Sequence, residues 1–89
     1  MATWKIIYTK DALKDIEKAF AAGFKDKILS LIDLLRDDPF MRYPSYEKLV
    51  GDLSGLYSRR INHKHRLVYS VDSKQAIVKI ISTWTHYED

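Results

Sequence analysis

The stretch that decides the fold runs from Leu56 to Val71 and reads LYSRRINHKHRLVYSV. Two runs rich in β-branched and aromatic residues flank the polar residues 62–64, which predicts an antiparallel hairpin with a three-residue loop. With that loop length, Arg60 lies directly opposite Arg66. Because directly opposite residues share a face of the sheet, the two arginines lie side by side, and Leu67 points to the other face.

The same hairpin is basic. No Asp or Glu occurs from Leu53 to Val71. The positively charged and imidazole side chains of this stretch are Arg59, Arg60, His63, Lys64, His65 and Arg66. With the neighbouring tyrosines they form a pattern typical of a polyanion-binding surface, and we predict that Arg59, Arg60 and His65 contact RNA. A solvated strand face is the alternative, and a register slip of one residue would separate the arginine pair.

Around the hairpin, the sequence predicts one strand and two helices before it and one strand after it. The predicted elements are a strand over Thr3–Tyr8, a helix from Thr9 to Gly23, a helix from Phe24 to Asp38, a loop or short helical turn over Phe40–Asp52, and a last strand over Ala76–Thr83. The fold class is α+β, with one N-terminal strand, two helices, a three-stranded antiparallel meander, and both helices on one face of the sheet. We expect residues 1–89 to form a single domain.

Apolar spacing predicts which faces are buried. The first helix repeats Leu13, Ile16 and Phe20 at helical spacing, with two alanines beside them. The second carries a stripe from Phe24 to Leu35. The last strand breaks simple alternation, which predicts an interior strand covered on both faces.

Composition removes several classes of function. The chain of 89 residues has no cysteine, which excludes disulfide scaffolds, thiolate zinc sites and cysteine nucleophiles and fits a cytoplasmic protein. No apolar run approaches the roughly 18 residues of a membrane span, so no membrane partner is expected. The glycines form no phosphate-binding loop and the three histidines have no HExxH spacing, so we expect neither a cofactor nor a metal.

Three remaining residues have complementary chemistry. The Glu47 carboxylate can take a proton from a ribose 2′-hydroxyl, and a His86 imidazolium can give one to the leaving 5′-oxygen. The Arg66 guanidinium can stabilise the charge that grows on the phosphorus oxygens. Each residue also has an ordinary interpretation, as a surface charge, a strand-face charge or part of a frayed tail, and spacing alone leaves both interpretations open.

Three strings of sequence resemble the Txe/YoeB family of bacterial toxins, within the RelE-like superfamily. They are EKLVGDLSGLYSRRI over Glu47–Ile61, HRLVY over His65–Tyr69, and the pair His86-Tyr87. The resemblance follows the whole chain in the order of its elements. It implies a small sheet with two helices, a metal-independent endoribonuclease that cuts messenger RNA in the ribosomal A site, and a small acidic antitoxin of the YefM/Axe type as partner.

The resemblance also implies residue roles. Glu47 matches the general base, Arg66 the arginine that stabilises the transition state, and His86 the general acid. Tyr87 matches a tyrosine that positions substrate, and Arg60 a position associated with RNA phosphate contact. The presence of both Glu47 and His86 favours this branch over RelE itself, which relies on basic residues.

The sequence departs from the family pattern at two places. Val50 stands where members often carry lysine, and Glu88 and Asp89 follow the usual final tyrosine. Two alternatives remain open at this point. One is a gyrase-inhibiting toxin of the same fold, which does not need the Glu–Arg–His set, and the other is an inactive domain that binds the ribosome or an antitoxin.

Overall fold

The computed structural model describes residues 3–86, with the backbone alone for residues 85 and 86. In chain order its elements are β1 (Lys5–Tyr8), α1 (Lys10–Ala21), α2 (Lys25–Asp37), β2 (Tyr46–Lys48), a 3₁₀ turn (Gly51–Leu53), β3 (Leu56–Arg60), β4 (His65–Asp72) and β5 (Ile77–His86). The strands form one sheet in the order β1-β5-β4-β3-β2. Only β1 and β5 are parallel within this sheet of described residues, and the α+β fold class is confirmed.

The segment predicted as a loop, 40–52, contains a strand and a turn. β2 lies at the sheet edge and pairs antiparallel with β3, with Glu47 opposite Ser58. The prediction of four strands was therefore wrong by one. Three residues are too few to show alternation, and what makes them a strand is the neighbouring β3 rather than their own sequence.

The hairpin of β3 and β4 has the predicted register. Arg60 is paired with Arg66, Arg59 with Leu67, and the Ile61 amide donates to the His65 carbonyl at 2.9 Å. Leu67 is completely buried on the face that packs against the helices. Loop length fixed this register, as expected for a short hairpin.

α1 begins at the predicted cap, but its buried face differs from the prediction. The Thr9 hydroxyl accepts a hydrogen bond from the Ala12 amide at 3.0 Å and donates one to the Ile81 carbonyl at 2.9 Å. Ala12 and Ala19 are fully buried, whereas Leu13 is 53% exposed. The predicted core position of Leu13 was wrong, because α1 lies so close to β5 that small side chains fill the contact.

The ends of the helices and the face of α2 follow the sequence. Gly23 has a φ of +92°, a conformation that glycine adopts without strain, and it follows the end of α1. α2 buries Ile28, Leu31, Ile32 and Leu35 against the sheet. It ends at Asp37, since the residue before Pro39 is disfavoured in helical conformation.

β5 lies between β1 and β4, as an interior strand should, but only one of its faces is covered. Val78 and Ile80 are fully buried, while Lys79 between them is exposed. The alternation breaks because the pairing shifts twice: Arg66 faces Thr85, Val68 faces Ser82, and Tyr69 faces Ile80. β5 thus carries an extra residue in each of two steps, which is the geometry of β-bulges.

Candidate active site

Glu47 and Arg66 meet on the open face of the sheet. They come from β2 and β4 and reach each other across β3. Arg66 Nη2 donates to Glu47 Oε1 at 3.3 Å, and Arg66 Nη1 donates to Ser58 Oγ at 3.3 Å. The Arg66 side chain is 10% exposed and that of Glu47 is 56% exposed. The carboxylate side of this ion pair is open to water while the guanidinium side is largely buried, so the contact holds a base and a cation at one place.

Arg60 supplies a second cation beside this pair. It lies opposite Arg66 in the register and is exposed to solvent. The predicted arginine pair is therefore present, with the charge of Arg66 partly balanced by Glu47. An incoming phosphate can approach Arg60 and Arg66 from the same side of the sheet.

The third predicted catalytic residue is placed by its backbone only. In the register, His86 is the partner of His65, one position from the pair formed by Arg66 and Thr85. Its backbone therefore lies at the same end of the sheet as Arg66. The side chain of His86 and the whole of Tyr87 lie outside the described residues, and their roles stay predictions.

His65 packs against a tryptophan. Its ring stacks on that of Trp84, with the ring centroids 3.7 Å apart and the ring planes 6° apart. The ring of Trp84 in turn packs against that of Phe24, with 5.4 Å between the centroids. His65 Nδ1 lies 3.3 Å from Asn62 Oδ1. One face of the imidazole is thus covered, and the RNA contact expected of His65 stays a prediction.

Arg59 is buried, in contrast to its neighbour. Its guanidinium donates to the Tyr69 hydroxyl at 3.0 Å and to the backbone carbonyls of Pro39 at 2.9 Å, Met41 at 2.9 Å and Pro44. None of its surface is exposed. The prediction that Arg59 contacts RNA is therefore corrected: a buried guanidinium already engaged by the protein has no open position for a phosphate.

An aromatic cluster surrounds this guanidinium. The Arg59 Cζ lies 4.9 Å from the Tyr46 ring centroid and 6.0 Å from that of Tyr69. Phe40 and Tyr57 complete the cluster: the ring of Phe40 is tilted against Tyr46, and that of Tyr57 contacts Tyr46 edge-on. Burial raises the pKa of Tyr69 to about 12, although the nearby Arg59 acts to lower it. Arg59 thus fixes the segment 39–46, which leads directly into the strand of Glu47.

A cavity of about 200 Å³ lies next to Arg66 on the open face of the sheet. We call it the apolar pocket, and its apolar walls are Leu49, Leu53, Val68 and Ile81. Arg66, Ser58 and Ser82 complete the lining. Sequence reasoning missed the pocket and the contact of Ser58 with Arg66. The predicted register of β3 and β4 could have pointed to Ser58, because it places Ser58 opposite Val68 and on the same face as Arg66.

From the sequence we expected neither a membrane-spanning segment nor a metal site. Among residues 3–86, neither helix has the length and apolar character to cross a bilayer. Within the same residues, no three metal-ligating side chains come together.

Sequence comparison finds related toxins. The chain matches the family described as the YoeB-like toxin of bacterial type II toxin–antitoxin systems over residues 8–87. It is also similar to the toxin YoeB of Mycobacterium bovis, with 37% identity over 82 residues, which cover 90% of this chain and 94% of that protein.

Comparison with solved structures gives the same result. The YoeB dimer from Staphylococcus aureus superposes with a TM-score of 0.80 at 35% identity, covering 97% of this chain and 100% of that one. The YoeB–YefM complex from Staphylococcus aureus gives a TM-score of 0.78 at 36% identity, with the same coverage. The second structure holds a toxin together with its antitoxin.

Proposed function

This chain belongs to the YoeB-like toxin family of bacterial type II toxin–antitoxin systems, and from that premise we propose that it is an endoribonuclease that cuts messenger RNA in the ribosomal A site. The observation that supports the proposal most directly is the contact of Glu47 with Arg66 at 3.3 Å on the open face of the sheet. A proton acceptor and a phosphate-binding cation are the two groups that attack by a ribose 2′-hydroxyl requires.

The proposed reaction is an internal transfer of the phosphoryl group. Glu47 accepts the proton of the 2′-hydroxyl as the 2′-oxygen forms a bond to phosphorus. The bond from phosphorus to the 5′-oxygen breaks, and His86 donates a proton to that oxygen. The products are a 2′,3′-cyclic phosphate and a 5′-hydroxyl, and Arg66 stabilises the charge on the phosphorus oxygens between them.

Partners follow from the same surface. The open face is shallow, so we propose that the ribosome orders the substrate strand over it, in the cytoplasm. The YoeB–YefM complex of the Staphylococcus aureus relative supports a cognate antitoxin of the same kind here. A small acidic segment would match the basic hairpin in charge and cover the site when it folds on binding.

The test is primer extension on a message translated in a reconstituted system. We expect the wild-type chain to cut the message, and Glu47→Gln to cut about 10²–10⁴-fold more slowly, the range for loss of a general base. Glu17→Gln, an exposed change on α1, is the control and should cut at the wild-type rate. An intact message with the wild-type chain, together with inhibition in a parallel DNA supercoiling assay, would overturn the proposal in favour of a gyrase inhibitor.

A further inference from the structure

We propose that the apolar pocket binds one nucleobase of the RNA, next to the phosphate that Arg66 contacts. The inference rests on the proposed ribonuclease function and adds to it a subsite that positions the strand. Arg66 lines the pocket and also contacts Glu47. When Arg66 binds a phosphate, the base attached to the neighbouring ribose is therefore close enough to enter the pocket.

The size of the pocket selects its occupant. Its volume of about 200 Å³ is smaller than the roughly 300–1,000 Å³ of pockets that enclose drug-sized ligands. One flat ring system fits this space, while its sugar and phosphate remain outside. Apolar walls with few polar groups suit a base face, which is recognised by packing between apolar side chains.

One wall of the pocket is formed by the β-bulge of β5 between Ile80 and Ser82. Ile81 has no register partner on β4, because Val68 pairs with Ser82 and Tyr69 pairs with Ile80. Ile80 is fully buried in the core, whereas Ile81 is half-buried and lines the pocket. Bulges often re-aim a side chain next to an active site, and here the bulge supplies one wall of the pocket.

The wall opposite Ile81 is apolar and open to water. Leu53, in the 3₁₀ turn, is 54% exposed, and Leu49 before it is half-buried. Covering apolar surface of this kind with a ligand removes it from water and so favours binding. The turn therefore presents two leucines at a position where a stacked base would cover them.

Charge favours RNA over a peptide as the occupant. The rim of the pocket carries Arg66, and exposed Arg60 lies opposite it in the register. The chain has no acidic residue between Leu53 and Val71. An RNA strand that follows this rim carries a negative phosphate at every nucleotide and so is attracted by both arginines. A peptide that inserts one apolar side chain into the pocket brings no such charge.

A direct binding test needs no cleavage. We would titrate the full chain with adenosine 3′-monophosphate and follow the methyl NMR signals of Leu49, Leu53, Val68 and Ile81, with inorganic phosphate as the comparison. We expect these methyl signals to move with the nucleotide and to stay in place with phosphate. Equal shifts with phosphate, or no shifts with the nucleotide, would overturn the proposal.

Two variants make the test specific. Val68→Phe fills the pocket, and Leu53→Ser removes one wall without entering the core. Each should weaken nucleotide binding by about tenfold. Leu13→Ser is the matched control, because Leu13 is 53% exposed and Leu53 is 54% exposed. Weakening by Leu13→Ser to the same extent, or unchanged binding by a folded Leu53→Ser, would contradict the base site.

A rate cycle then connects the pocket to cleavage. On a substrate with an abasic ribose beside the scissile phosphate, the wild-type chain should cleave about tenfold more slowly than on the intact substrate. The Val68→Phe variant should cleave the abasic and the intact substrates at the same rate. Independent, multiplying effects of the two changes would reject the pocket as the base site. Failure of wild type to cut any RNA would instead reject the ribonuclease function, and the two failures are therefore distinguishable.

Loss of antitoxin binding in Leu53→Ser with unchanged nucleotide binding would assign the pocket to the protein partner.

Discussion

Two adjacent arginines show how one residue step changes a role. Arg59 and Arg60 are the same residue type in the same strand, yet one is buried under a loop and the other faces solvent. Successive strand residues point to opposite faces. The predicted register already placed Arg59 opposite the core residue Leu67, so its burial was accessible from the sequence. Its four hydrogen bonds were not, because the loop that receives them has no periodic pattern.

The two arginines should differ sharply in stability. We expect Arg59→Met to lower the free energy of unfolding by about 3 kcal/mol or more, since it leaves buried carbonyls without donors. Arg60→Met should stay within about 0.5 kcal/mol of wild type, as is usual for exposed positions. Urea denaturation of the three proteins measures both values. Equal losses for the two variants would show that Arg59 does not hold the loop.

At Arg66 the shape of the cation should matter as well as its charge. Arg66 contacts Ser58 and Glu47 through two different nitrogens, and lysine cannot reproduce that fork. We expect Arg66→Lys to cut messenger RNA about 10²-fold more slowly than wild type. Arg36→Lys, an exposed arginine on α2, serves as the control. Cleavage by Arg66→Lys near the wild-type rate would remove Arg66 from the transition state.

At the scale of elements, the sequence predicted what short-range rules decide. Loop length fixed the hairpin register, and Pro39 fixed the end of α2. β2 was missed because three residues cannot show a period. The apolar pocket was missed because the broken alternation of β5 was interpreted as burial on both faces, whereas it reflects β-bulges. The Glu47–Arg66 contact depends on β2 and so could be suggested only by chemistry and resemblance.

One threonine connects two of these elements. The Thr9 hydroxyl caps α1 and also donates to the carbonyl of Ile81 on β5. We therefore expect Thr9→Ala to lower the free energy of unfolding by about 1–2 kcal/mol, the upper part of the range for a helix cap. Thr9→Ser keeps both hydrogen bonds and should recover most of the loss in the same denaturation experiment. A Thr9→Ser variant as unstable as Thr9→Ala would mean that the methyl group, not the hydroxyl, is what matters.

At the scale of the molecule, the candidate site is a product of strand order. β2, β3 and β4 are adjacent in the sheet, so residues that are 19 positions apart in the chain, Glu47 and Arg66, meet across one intervening strand. The helices take no direct part in that contact, but they cover the other face and make the sheet a stable platform. The aromatic cluster around Arg59 lies on that covered face, next to the edge strand β2.

The stability of the whole fold should fall in alkaline solution through Tyr69. Burial raises its pKa from 10.0 to about 12, so above pH 10 the unfolded chain loses this proton while the folded chain keeps it. The stabilising effect is complete below the unfolded pKa and is lost as the pH rises towards the folded one. We expect the free energy of unfolding to drop by about 1 kcal/mol between pH 9 and pH 11 from this group.

The alkaline effect can be isolated by substitution. Tyr69→Phe should show a smaller drop between the two pH values than wild type, whatever its stability at neutral pH. Tyr43→Phe, at a residue that is 85% exposed, should retain the wild-type drop. Identical pH slopes for wild type and Tyr69→Phe would show that Tyr69 does not titrate differently in the two states.

The position of β5 has a consequence for the order of synthesis. β5 is translated after the other described strands, yet it lies between β1 and β4 in the sheet. It is also joined to α1 through Thr83, whose hydroxyl donates to the Ala12 carbonyl at 3.0 Å. Until Ile77–His86 has left the exit tunnel, β1 cannot join the sheet, because the strand it pairs with is β5. If the chain cuts messenger RNA as proposed, a nascent toxin is therefore inert towards the ribosome that is making it.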